Sequence, residues 1–144
     1  MELSAENLRH NTVQLRALLP KGCELMPVLK ANAYGHGAAI IAKELQKLGI
    51  RSFCVATAPE GVELRQSGIR GEILVLGYTH PEQFSLLRRY RLDVYKRQPL
   101  DAGRYHGLIA LVQTTRLTGG YDLLFVIFPK FVPAAAPAGS GFRL

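Results

Sequence analysis

The stretch Cys23-Glu24-Leu25-Met26-Pro27-Val28-Leu29-Lys30-Ala31-Asn32-Ala33-Tyr34-Gly35-His36-Gly37 joins an apolar run to a glycine-rich turn. Directly after it, residues 38–48 place Ile41, Leu45 and Leu48 on one helical face before Gly49. The pattern predicts a strand over 23–30, a turn over 31–37 and a helix over 38–48 closed by a glycine. The same cycle then recurs. Residues 52–57 read as a second strand, Pro59 stands where a first helical turn accepts proline, and 60–67 read as a helix stopped by Gly68. Residues 73–77 form an almost wholly apolar third strand, and Pro81 opens a third helix that runs through Tyr90. Upstream, Ser4 caps a helix in which Leu8, Thr12, Leu15 and Leu19 recur at helical spacing, with Pro20-Lys21-Gly22 as its stop.

Strand and helix alternating at a repeat of roughly 22 residues is the pattern of right-handed crossovers onto a parallel sheet, so the fold class is α/β. A doubly wound sheet and an eight-stranded barrel both accommodate three such units. Both place their chemistry in the loops at the carboxyl ends of the strands. The length of 144 residues suits one domain. With 48% hydrophobic and 20% charged residues the composition excludes a wholly disordered, collagen-like or coiled-coil chain. The longest apolar run, Leu123 to Phe128, is far too short to cross a bilayer, and no secretory signal pattern opens the chain. Cys23 and Cys54 lack CxxC spacing and have no histidines placed to share a metal, so they read as reduced structural thiols of a cytoplasmic protein, with no metal site expected. The net charge of +7 is spread along the chain, with 12 basic and 8 acidic residues in 1–92 and 6 and 3 in 93–144. Its one cluster, Arg88-Arg89-Tyr90-Arg91 with Lys96-Arg97, has the basic and aromatic interleaving of a nucleic-acid surface. It reads instead as the basic last turn of a helix, and no nucleic-acid partner is expected.

Lys30 is the residue that stands out. It ends a buried strand, so its ammonium is expected at the mouth of the sheet, where partial desolvation favours the neutral amine that Schiff-base chemistry with an aldehyde requires. Gly35 and Gly37 permit close backbone approach and lead into a helix start, which suits an anionic group such as a phosphate. The turn matches neither GxxxxGK[ST] nor GxGxxG. Tyr34 and His36 are the hydrogen-bonding side chains of the turn.

The ten residues Val28-Leu29-Lys30-Ala31-Asn32-Ala33-Tyr34-Gly35-His36-Gly37 resemble the pyridoxal-phosphate lysine motif of the alanine racemases. The resemblance extends through Leu8-Arg9-His10-Asn11, Phe53-Cys54-Val55-Ala56-Thr57, Glu60-Gly61-Val62-Glu63-Leu64-Arg65 and Ile73-Leu74-Val75-Leu76-Gly77, and covers residues 2–92. Gly22-Cys23-Glu24-Leu25-Met26 and Gly77-Tyr78-Thr79-His80-Pro81-Glu82 are similar in style to serine/alanine racemases of vancomycin-resistance type. The resemblance implies a fold-type III enzyme using pyridoxal 5'-phosphate: an eight-stranded α/β barrel, a β-rich C-terminal domain, and a homodimer with shared active sites. It implies that Lys30 forms the internal aldimine and is the base on one face of the substrate, and that Tyr34 hydrogen-bonds the cofactor phosphate. His36 receives no role. The implied substrate is alanine, with serine as the alternative, for D-amino acids of cell-wall precursors; a non-racemising cofactor-binding protein is a further alternative.

A barrel needs eight such units, and the chain supplies about three before the pattern stops. Residues 1–92 are therefore expected to be the N-terminal part of a (β/α)8 barrel. The family's second base, a tyrosine of the C-terminal domain, and an arginine late in the barrel have no counterpart here, so the chain alone is expected to be inactive. Asp93-Val94-Tyr95-Lys96-Arg97-Gln98 is also the translation of GAT GTG TAT AAG AGA CAG, a transposon end used in sequencing-library adapters. A junction is expected at residue 92 or 93, with 93–144 a non-native, irregular tail that includes the low-complexity stretch 133–141 and an aggregation-prone run over 121–132.

Overall fold

The computed structural model describes residues 4–94, 113–117 and 121–129. Helix α1 (Ala5–Ala17) leads into strand β1 (Cys23–Pro27), the short helical segment α2 (Lys30–Tyr34) and helix α3 (Ala38–Lys47). Strand β2 (Ser52–Val55), helix α4 (Ala58–Gln66), strand β3 (Glu72–Val75), a 3-10 turn (Pro81–Gln83), helix α5 (Phe84–Tyr90) and strand β4 (Asp93–Val94) follow. The helix starts are set locally. The Ser4 hydroxyl accepts from the Asn7 N–H at 3.2 Å, and Thr57 and Glu60 form a capping box with Pro59 in the first turn of α4. On α1, Thr12 lies on the buried face among the leucines and its hydroxyl donates to the Leu8 carbonyl at 2.7 Å, which satisfies it without water.

β2 and β3 pair in parallel, Phe53 opposite Ile73 and Val55 opposite Val75, and β4 adds in parallel to β3. β1 joins β2 through a parallel bridge between Val28 and Cys54 and through the Leu29 N–H, which donates to the Cys54 carbonyl at 2.7 Å. All four residues of β2 are buried, as expected of a strand covered on both faces. One face carries Leu25, Phe53, Val55, Ile73 and Val75 against Leu8 and Leu15 of α1, Ile41 and Leu45 of α3, Leu64 of α4 and Leu87 of α5. The other carries a smaller cluster of Met26, Val28, Cys54 and Leu74. The four long helices thus share a single face. A doubly wound sheet would divide its helices between two faces, so the described unit is a sector of a barrel.

Two differences from the sequence reading are instructive. The first strand ends at Pro27 rather than Lys30, because residues 31–34 turn left-handed and leave the sheet. The tail expected to be irregular carries two strands, β5 (Gln113–Leu117) and β6 (Tyr121–Pro129). β6 pairs antiparallel with β1, Cys23 opposite Pro129 and Pro27 opposite Phe125. The physical reason is the free edge of β1: its unpaired N–H and C=O groups accept a β-prone strand. β4 begins at Asp93, where the junction is expected. Residues 95–98 and the stretch 133–141 lie outside the described residues.

Burial pushes the Cys54 thiol from 9.0 up to about 12. Between those values the unfolded chain releases a proton that the folded chain retains, so stability present below pH 9.0 is lost as pH rises toward 12. Cys54→Ala is expected to flatten the alkaline fall of the urea midpoint measured over that range. Gly71 offers a second check. Its φ is +92°, and an added Cβ would lie 1.9 Å from the Arg51 carbonyl oxygen at the start of β2, whereas at Gly68, with φ +87°, a Cβ would meet nothing within 4 Å. Gly68→Ala should cost about 1 kcal/mol from the left-handed backbone alone, and Gly71→Ala at least about 3 kcal/mol, read from urea midpoints.

Candidate active site

The carboxyl ends of β1, β2 and β3 open onto three loops, and the one after β1 carries Lys30. Ala31, Asn32, Ala33 and Tyr34 have φ of 50°, 54°, 53° and 56°, so four successive non-glycine residues form a left-handed helical turn that Gly35 closes at φ 87°. Each such residue costs roughly 1–2 kcal/mol relative to a right-handed one. The turn is held by hydrogen bonds inside and around it. The Gly35 N–H donates to the Ala31 carbonyl at 3.1 Å, the His36 N–H to Ala33 at 3.1 Å and the Gly37 N–H to Asn32 at 3.0 Å. Asn32, a residue type that tolerates the left-handed region, also uses its Oδ1 to accept from the Ala38 N–H at 2.8 Å, capping α3 from within. The N–H groups of Gly35, His36, Gly37 and Ala38 thus all have acceptors within the turn.

What the turn presents is a side-chain pair. Lys30 is half-buried, and its Nζ lies 5.9 Å from the centroid of the Tyr34 ring, within reach of a cation–π contact. The structure therefore brings together the two residues that the sequence singled out. His36, the third side chain of the motif, is buried beneath the turn. Ala33 packs completely into the core at the centre of the turn, so the segment cannot shift without disturbing that packing. On the same face, Tyr78 and His80 after β3 stand ring edge to ring face, centroids 6.0 Å apart.

Glu60 is the participant that sequence reasoning placed only at a helix start. Its Oε1 accepts from the Ala31 N–H at 2.8 Å, while Oε2 accepts from the N–H groups of Ala56 at 2.8 Å and Thr57 at 3.1 Å. The available signal was Thr57-Ala58-Pro59-Glu60, a capping-box spacing. That signal announces the bond to Thr57. It carries no information about Ala31, which reaches Glu60 only through tertiary structure.

An open depression of about 590 Å³ lies at the opposite end of the strands, lined by Arg65, Arg70, Arg89 and Asp93 among others. Of its arginines, Arg65 is already engaged: its guanidinium donates to the carbonyls of Ile69, Gly71, Tyr90 and Arg91 at 2.8–3.1 Å. Burial lowers the Arg65 pKa, against the opposing pull of Asp93. Arg88 and Arg89 occupy the last turn of α5, and the Arg89 guanidinium lies 5.7 Å from the Tyr90 ring centroid. Arg88 and Arg89 complement the negative end of that helix, and Arg65 ties that end to the segment before β3.

Parallel strands with helices on one face, and a lysine presented at their carboxyl ends, define an α/β-barrel domain of the kind that hosts enzyme sites. The family model for the alanine racemase N-terminal domain matches residues 3–99, and the chain belongs to that family. The chain is 48% identical over 91 residues to an amino-acid racemase of Enterococcus faecalis, covering 63% of this chain and 13% of that protein. It is 43% identical over 91 residues to a serine/alanine racemase of Enterococcus gallinarum, again covering 63% and 13%. Alanine racemase of Clostridium difficile 630 superposes with a TM-score of 0.59 at 42% identity, covering 62% of this chain and 24% of that one. The chain thus spans between about an eighth and a third of the length of the curated relatives it matches, from 13% to 30%.

The engaged amides of the turn imply that Asn32 is its local brace. Asn32→Ala removes both the cap on Ala38 and a residue suited to positive φ, and should cost about 1–2 kcal/mol. Hydrogen exchange should show faster exchange at Ala38 and Gly37, with the amides of β2 and β3 unchanged.

Proposed function

We propose that the chain is the N-terminal barrel portion of a pyridoxal 5'-phosphate-dependent amino-acid racemase that interconverts L- and D-alanine, for D-amino acids of cell-wall precursors in the cytoplasm, and that the 144 residues alone do not turn over. The single observation that carries this reading is the left-handed turn that presents Lys30 beside Tyr34 at the carboxyl ends of the parallel strands. Family membership supports the cofactor and the reaction class.

The donor set suits such a group: a half-buried primary amine for an aldehyde, and a phenol one helical turn away for a phosphate. When bound, pyridoxal phosphate supplies an aldehyde for amine exchange and a conjugated ring that delocalises the charge left when the substrate α-proton departs. Lys30 would hold the group through its Nζ and would be the base that takes or returns the proton at the substrate Cα from one face. Tyr34, whose ring centroid lies 5.9 Å from the Lys30 Nζ, would donate its hydroxyl proton to a phosphate oxygen. The rigid turn keeps both on one side of the site, so inversion requires a second base from the opposite face. In this reading that base belongs to the rest of the parent protein, which works as a homodimer with shared sites.

Serine is the second substrate to consider, and the 43% identity to a serine/alanine racemase favours it. The side-chain pocket that separates a methyl from a hydroxymethyl group decides between them, and a site built to hydrogen-bond a hydroxyl discriminates strongly.

Incubating the chain with pyridoxal phosphate, reducing with borohydride and mapping the product should place the label at Lys30, with Lys30→Ala losing it. Labelling spread evenly over the exposed lysines would overturn the assignment. Joined to a matching remainder of barrel and C-terminal domain, residues 1–92 should racemise L-alanine in a coupled D-amino-acid oxidase assay. Saturable labelling in such a joined protein without turnover would point to a non-racemising cofactor-binding protein.

A further inference from the structure

We propose that Glu60 is the positioning residue of this site: its carboxylate fixes the direction of the Lys30 side chain by clamping the backbone N–H of the next residue. The inference rests on the reading of Lys30 as the cofactor lysine. One carboxylate spans two loops, accepting from Ala31 after β1 with one oxygen and from Ala56 and Thr57 after β2 with the other. The Ala31 N–H opens the left-handed turn and has no acceptor within it; the turn's internal bonds begin with Ala33, whose N–H donates to the Leu29 carbonyl at 3.0 Å. Glu60 is the group that anchors the start of the strained segment, and Lys30 is the residue on which that segment pivots.

The chemistry of the acceptor is specific. A carboxylate offers two oxygens, each able to accept more than once, whereas a carboxamide offers one oxygen and a donor NH2. Glutamine serves a capping box as glutamate does. In Glu60→Gln the amide oxygen therefore keeps the local bonds to Ala56 and Thr57, and the NH2 meets the Ala31 N–H donor to donor. That substitution isolates the arm that reaches the lysine turn. Thr57→Ala does the opposite: it removes the hydroxyl that accepts from the Glu60 N–H and leaves the Ala31 arm in place. A merely structural Glu60 would make the two variants behave alike.

The test uses the full chain with pyridoxal phosphate and borohydride, and reads the initial rate of labelling at Lys30 relative to the exposed Lys21 and Lys43, alongside hydrogen exchange at Ala31. A displacement of a reactive group by about 1 Å can cost up to about a hundredfold in rate. Glu60→Gln is expected to reduce the Lys30 preference about tenfold or more and to speed exchange at Ala31, while Thr57→Ala keeps the wild-type preference. Glu60→Asp, which retains the charge but is one methylene too short to bridge both loops, should show the same loss and carries the test if the glutamine variant does not fold. Wild-type preference in the folded Glu60 variants, or an equal loss in Thr57→Ala, would overturn the positioning role while leaving Lys30 as the cofactor lysine. No preference in the wild type would overturn that assignment, and the role of Glu60 with it.

Discussion

Four consecutive L-residues held near φ 50–56° are the constraint around which the rest of this site is organised. Such a run opposes the intrinsic preference of every residue in it, so it persists only where surrounding contacts over-determine it. Those contacts come from three directions. Ala33 is driven into the core, Asn32 ties the turn forward to α3, and Glu60 ties it sideways to the loop after β2. The result is a lysine on a backbone with little freedom, which is what a site that must present one amine in one direction requires.

The turn is in turn seated on the sheet. β1 shares its backbone bridge with β2 at its carboxyl end, through Val28 and Leu29 against Cys54, the two residues that directly precede Lys30. Farther back, the Ser52 hydroxyl donates to Glu24 at 2.8 Å and holds the two strands at their other ends. Behind this frame, Phe53, Ile73, Val55 and Val75 are completely buried against the helices, each contributing roughly 1.5–3 kcal/mol by leaving water. Arg65 plays the matching part at the amino ends, where one guanidinium gathers four carbonyls from the segments flanking β3 and β4. The two ends are thus stabilised by different means: a cationic clamp below, an anionic clamp beneath the lysine turn above.

Much of the scaffold was legible because its signals are local. Ser4, Pro59, Gly49 and Gly68 mark helix ends through their own backbone and side-chain preferences, and the helices lie close to where those residues put them. The turn was not legible in its conformation. Alanine and tyrosine carry no preference for positive φ, so Ala31, Ala33 and Tyr34 gave no warning, and the glycines that did are only the turn's exit. The strands of the tail were hidden for a related reason. A β-prone run pairs when an edge is available to it, and whether β1 offers one is a property of the assembled sheet.

By itself the sequence determined the α/β alternation, the order of the strands and helices, and the lysine and tyrosine that carry the candidate chemistry, because periodicity, caps and motif are all written within a few residues of one another. Periodicity left open whether the helices share one face of the sheet or two, and the family resemblance implied one. Tertiary structure decided that question by packing residues from α1, α3, α4 and α5 into one cluster. It also decided that Glu60, 29 positions from Ala31, would serve the lysine turn as well as its own helix. Contacts of that kind depend on which loops the parallel sheet brings side by side, and no window of sequence contains both partners.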